Sequence, residues 1–132
     1  MIYLLDANVL IAMTIAEHEH HPRVSTWLST VEQVAVCPVV EGSFVRFLVR
    51  IGETAVAAQQ VLRALRADAR CDFWVDGLSY ADADISHVRG HRQVTDAYLA
   101  ALAATHGDAL LATLDEGLVR DRPTVTLLVP QC

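Results

Sequence analysis

Lysine is missing from this chain of 132 residues, whose ten permanently cationic side chains are all arginine. A receiver-type phosphorylation domain also carries acids at strand ends in a chain of this length. It needs a lysine beside its phosphorylated aspartate, so that class is excluded. Arginine without lysine favours bidentate contact with phosphate, although genomic base composition explains the same bias. Cysteine is scarce as well. Cys37, Cys71 and Cys132 are far apart, odd in number and match neither a disulfide framework nor zinc spacing, as expected in a reducing cytosol. No run reaches the roughly 18 uncharged apolar residues of a membrane span. "MIYLLD" has an acid at position six and no basic n-region, so no signal peptide is expected. Repeats, low-complexity tracts and linkers are absent too. These absences leave one domain, residues 1–132, expected in the cytoplasm and away from membranes.

What is present is apolar. Hydrophobic residues make up 53% of the chain. That is enough for a core without staples, with some excess available for a partner surface. "IYLLD" (2–6) reads as a buried strand, followed by a helix through "ANVLIAMTIA". "PRVSTWLSTVEQ" (22–33) reads as a helix with Val24, Trp27, Leu28 and Val31 on one stripe. "VAVCPVV" (34–40) reads as a strand, with Pro38 marking its end or a sheet edge. "EGSFVRFLVRI" (41–51) is helical, with Phe44, Phe47, Leu48 and Ile51 on its buried face. A helix over 53–69, a strand over "DFWVD" (72–76) and a short helix within "DADISHVRG" follow. A long helix runs from Asp96 to His106, capped by Thr95 and closed by Gly107. Strands over 109–114 and 124–129 complete the pattern. Apolar strands alternating with helices predict an α/β fold: a three-layer sandwich with a central parallel sheet flanked by helices.

The net charge of −6 argues against a simple basic nucleic-acid face. Acids gathered round divalent ions alter that argument, because the ions reverse the local sign. Four acids abut apolar runs: Asp6 after the first strand, Glu41 after "VAVCPVV", Asp96 at the head of the long helix, and Asp115 after "ALLATL". In open α/β sheets, ligands bind beyond the carboxyl ends of the strands. The four could therefore share one edge, where a hard cation such as magnesium, with manganese as a substitute, would relieve their repulsion. Singly, each also suits a helix cap, a helix dipole or a turn. A phosphatase with an aspartyl nucleophile would want a second acid two residues after Asp6, where Asn8 stands.

"YLLDANVLIA", "PVVEGSFVRFL", "TDAYLAALA" and "LLATLDEGL", in this order, resemble the acidic motifs of PIN-domain nucleases, and especially the VapC-type toxins of toxin–antitoxin pairs. The resemblance spans essentially the whole chain. It implies a catalytic cluster of Asp6, Glu41, Asp96 and Asp115, with Asn8 and Thr113 as polar supports. Asp6, Asp96 and Asp115 are the expected metal ligands, and Glu41 acts through water or orients the nucleophile. The implied activity is magnesium-dependent endoribonucleolytic hydrolysis leaving a 5′-phosphate. The implied partners are an RNA substrate, a cognate antitoxin and a second copy of the chain, with DNA met only through the antitoxin. A non-catalytic PIN-like binding module within an antitoxin/DNA regulatory complex is the alternative.

Arg89, His91, Arg92 and Gln93 precede Asp96 and are candidates for phosphate contact, with a plain surface loop as the other reading. "EHEHHP" (17–22) clusters His18, His20 and His21 without metalloprotease spacing and reads as a solvated loop, from which His21 could lean over substrate. Cys37 reads as a buried thiol. Phe44, Phe47, Leu48, Ile51, Val56, Val61, Leu62 and Leu65 fit core packing. They also fit a groove for a partner helix, which the resemblance assigns to an antitoxin segment that places an arginine among the acids.

Overall fold

A computed structural model describes residues 1–75 and 77–131. Five strands form one sheet, all parallel, in the order β3-β2-β1-β4-β5. They are β1 (Ile2–Leu5), β2 (Gln33–Val36), β3 (Cys71–Phe73), β4 (Ala109–Thr113) and β5 (Thr126–Leu128). The helices are α1 (Ala7–Thr14), α2 (His21–Leu28), α3 (Pro38–Arg50), α4 (Ala55–Ala67), α5 (Val94–Thr105) and α6 (Glu116–Asp121). Alternating side chains of each strand enter opposite layers. Leu4, Ala35 and Leu111 join Phe44, Leu48, Tyr98 and Leu102 in one cluster. Their neighbours Leu5, Val34 and Ala112 join Val9, Val24 and Trp27 in another. The sheet is thus covered on both faces, as its apolar strands require.

The sheet runs outward from β1 in both directions, so the chain switches sides between β3 and β4. The carboxyl ends of β1 and β4, which pair in register from Ile2↔Ala109 to Leu5↔Ala112, flank that switch point. This is where an open α/β sheet places its crevice.

Several boundaries differ from expectation. α2 stops at Leu28 because the hydroxyls of Ser29 and Thr30 turn back onto the carbonyls of Thr26 and Trp27. β2 ends at Val36, and Pro38 opens α3 at a position where its missing N–H costs nothing. β2 lies inside the sheet, so Pro38 marks no edge. The expected strand over 72–76 is Cys71–Phe73; Asp76 lies outside the described residues, as does Cys132. "DADISHVRG" forms turns rather than a helix, its aspartates and serine favouring turn conformations. A 3-10 turn at His91–Gln93 leads into α5 instead. Gln93, not Thr95, holds the capping position of α5, and its side chain accepts from the amides of Arg89 (2.7 Å) and Gly90 (3.3 Å). Gly107 closes α5 with φ +70, a left-handed conformation that glycine adopts without strain. The segment after Asp115, where no helix was expected, forms α6 with Asp115 as its cap. Ile51 lies at the end of α3, 52% exposed rather than buried.

Candidate active site

Asp6 caps α1 from the end of β1 and is only 4% exposed. Its Oδ1 accepts the amide of Ala7 at 2.8 Å, and its Oδ2 accepts the hydroxyl of Thr113 at 2.8 Å. The Thr113 oxygen in turn accepts from Asn8 Nδ2 at 3.2 Å and from the amide of Asp115 at 3.1 Å. Asn8 completes the loop by accepting the amide of Leu114 at 3.2 Å. Asp115 caps α6, its Oδ1 accepting the amide of Leu118 at 3.1 Å. One buried threonine thus ties together the acids that leave two neighbouring strands. Asn8 and Thr113, the polar residues that the resemblance puts beside the acids, thus bond Asp6 and the backbone leading to Asp115.

Asp96 enters from the first turn of α5, whose following residues Ala97 to Ala103 are all buried. A helix so enclosed cannot shift its first turn without disturbing the core, which keeps the carboxylate in place. Burial, then the charges of Asp6 and Asp115, push the Asp96 carboxyl up to about 7. The Asp6 carboxyl is also raised, chiefly by burial. The Thr113 and Ala7 hydrogen bonds oppose the rise, and the charge of Asp115 adds to it. Asp6, Asp96 and Asp115 therefore form one electrostatically coupled trio.

Glu41 sits in the first turn of α3, beyond the carboxyl end of β2, and is half-buried. It is not among the charges that shift Asp6 or Asp96; its charge is felt at Cys71. That thiol is pushed up to about 11 by burial first, then by Asp68, Asp72 and Glu41. A thiol so raised is a poor nucleophile. Cys37 is buried, as expected.

Asp96 and Asp115 line an open cleft of about 280 Å³, with Arg92 and Gln93 on its wall. Arg89 does not line it, and His91 is exposed outside it. His21 turns away to bond the carbonyl of Ala12 at 2.7 Å, and so joins α2 to α1 rather than reaching the cleft. The cleft wall also includes His87, Asp121 and Arg122, none of them singled out by motif. Arg122 stands seven residues beyond Asp115, two helical turns, a spacing that becomes visible only once α6 is recognised.

The donor set of the trio is oxygen only, which suits a hard divalent cation. Among the described residues no three His, Cys, Asp or Glu side chains close on one metal-sized point. No helix among the described residues is long and apolar enough to cross a membrane.

The PIN domain family model matches residues 3–121. The chain is 51% identical over 131 residues to ribonuclease VapC29 of Mycobacterium tuberculosis, covering 98% of each. It is 38% identical to ribonuclease VapC38 of the same organism, covering 91% of this chain and 92% of that one. Among solved structures, M. tuberculosis VapC20, described as a sarcin-ricin loop cleaving toxin, superposes with a TM-score of 0.69 at 18% identity, covering 98% of this chain and all of that one. VapBC2 of Rickettsia felis, solved bound to a DNA fragment from its promoter, gives a TM-score of 0.67 at 16% identity, covering 97% of this chain and 98% of that one. Likeness at such identities is likeness of fold. The sequence identity goes further. The chain belongs to the PIN-domain family and, within it, to the VapC-type ribonuclease toxins.

Proposed function

We propose that this chain is a magnesium-dependent endoribonuclease, the toxin of a toxin–antitoxin pair, hydrolysing RNA phosphodiesters at Asp6, Glu41, Asp96 and Asp115 in the cytoplasm. The observation that carries the reading is the convergence of Asp6, Asp96 and Asp115, from three separate elements, at the switch point of the sheet. Three acids in mutual repulsion destabilise the site unless a cation offsets them, and their oxygens suit magnesium, with manganese as a substitute. Asp6, Asp96 and Asp115 would hold the ion. Bound there, it would supply a water of lowered pKa and neutralise charge at the phosphate.

The protein's own groups do the rest. Thr113 and Asn8 fix the Asp6 carboxylate, whose two oxygens are already aligned by hydrogen bonds. Asp115 is held by the first turn of α6. With no ion bound, the Asp96 carboxyl is pushed up to about 7, so taking up the ion would release its proton. Glu41, from the neighbouring strand end, would orient the attacking water or reach the ion through water. Arg92 would meet the RNA backbone at the rim, and Arg89, farther out, would meet it beyond the cleft.

A partner surface supports the toxin reading. Ile15, Leu48, Ile51, Ala57 and Val61 line a separate open groove of about 480 Å³ on the α3–α4 side. We infer that an antitoxin segment occupies it, that the chain pairs with a second copy, and that DNA is reached only through the antitoxin. The nuclease reading is tested with purified Asp6→Asn and Asp96→Asn proteins. Both should stay folded and lose magnesium-dependent RNA cleavage by on the order of 10³-fold or more; unchanged cleavage in both would refute the assignment.

A further inference from the structure

The cleft beside the carboxylates carries a cation whose orientation the fold fixes. Arg122 follows α6, and its side chain is only 16% exposed. Its Nη1 donates to Nδ1 of His87 at 2.7 Å, and its Nη2 lies 3.5 Å from Oδ2 of Asp84. A guanidinium offers no acceptor, so in this bond the ring nitrogen of His87 accepts. These contacts occupy two of the five N–H donors of the fork. Arg122 and His87 border the same cleft as Asp96 and Asp115.

Asp121 borders that cleft as well, so an RNA strand entering it would meet three carboxylates. A fixed positive group is needed to make that approach favourable. Arg92, on the same wall, is exposed and would lose more side-chain freedom on gripping a ligand than a braced arginine does.

We propose that Arg122 binds a backbone phosphate of the RNA strand next to the scissile one, and that His87 is the positioning residue that aims its guanidinium. This rests on the ribonuclease reading above and adds to it the group that seats the substrate. The planar fork matches a phosphate bidentately, and a lysine at this position would supply charge without that geometry.

The test is steady-state cleavage of a fluorogenic single-stranded RNA of mixed sequence, in magnesium, across a series of potassium chloride concentrations. Arg122→Ala raises KM about tenfold or more, the scale of one lost charge-assisted hydrogen bond, while kcat changes little. It also flattens the slope of log KM against log salt by about 0.7, the contribution of one single-strand phosphate contact. Arg122→Lys restores the slope but only part of the affinity. His87→Ala raises KM with the slope retained, because the charge stays while its aim is lost. A purely structural role would lower the melting temperature and leave the salt slope alone. An unchanged KM and slope in both Arg122 variants overturns the proposal while leaving the nuclease standing. A wild-type chain without magnesium-dependent cleavage overturns both.

Discussion

The hydroxyl of Thr113 donates to Oδ2 of Asp6 over 2.8 Å, joining residues 107 positions apart in sequence. Thr113 is the last residue of β4 and Asp6 the first beyond β1, so the bond closes the carboxyl edge of two adjacent strands. The same oxygen receives Asn8 and the amide of Asp115, which makes it the hub of the polar site.

Thr113→Val keeps the shape and removes the hub. Asp6 loses the bond that most opposes the upward pull of burial, and its carboxyl should rise further. Cleavage should fall about 10- to 100-fold, the usual cost of losing a group that orients a metal-binding carboxylate. Stability should drop by about 1–3 kcal/mol, because Asn8 and Asp6 are left with unmet hydrogen bonds. Initial rates and urea denaturation of the purified variant check both expectations.

Asp96 makes stability depend on pH in a defined direction. Its carboxyl titrates at about 7 when folded, against 3.8 for the ordinary group. Between those values the folded chain holds a proton that the unfolded chain has released, so stability falls as pH rises through that window. In EDTA, Asp96→Asn should melt above wild type at pH 8, and the two should converge near pH 4. Magnesium at pH 8 should raise the wild-type melting temperature and move the Asn variant much less. Parallel melting curves at every pH would show that the charge of Asp96 is not under strain.

Arg23 is a buried arginine held by carbonyls. Its Nε donates to Val129 O at 2.9 Å and to Pro130 O at 3.3 Å, and its Nη2 also bonds Val129 O. The contacts pin the segment after β5 onto α2. Arg23→Ala strands those acceptors and should cost about 1.5–3 kcal/mol. RNA cleavage at a temperature where the variant is folded should be unaffected, since none of these atoms borders the cleft. Chemical denaturation alongside the cleavage assay separates the two effects.

Ile51 is 52% exposed and Val56 60%, large apolar groups at the turn joining α3 to α4. Ile51 borders the groove assigned to the antitoxin. Ile51→Glu should weaken the complex with the co-expressed antitoxin by about 2 kcal/mol or more, the scale of a central apolar anchor. Cleavage by the isolated chain should not change. Calorimetric titration of the variant checks this, and undiminished affinity would move the partner elsewhere.

Much of this molecule is legible one segment at a time. Apolar runs interrupted by helical periodicity prescribe a covered parallel sheet, because burial and backbone propensity act over a few residues. The same local signals put Asp6, Glu41, Asp96 and Asp115 at the ends of elements. Short pieces escape this kind of reading. α6 spans six residues, too few for a period to emerge, and with it went Arg122. The turns of 79–90, which carry His87, have no pattern of their own.

Sequence alone determined the class of fold and which acids stand at element ends. Tertiary structure decided which of those acids meet, because that depends on strand order rather than on any local preference. β4 lies against β1, so Asp115 faces Asp6, and α5 delivers Asp96 to both. Glu41 leaves β2, on the other side of β1, and its charge is felt at Cys71. The cleft wall formed by His87 and Arg122 likewise exists only where residues 35 positions apart come together, a contact that no window along the chain contains.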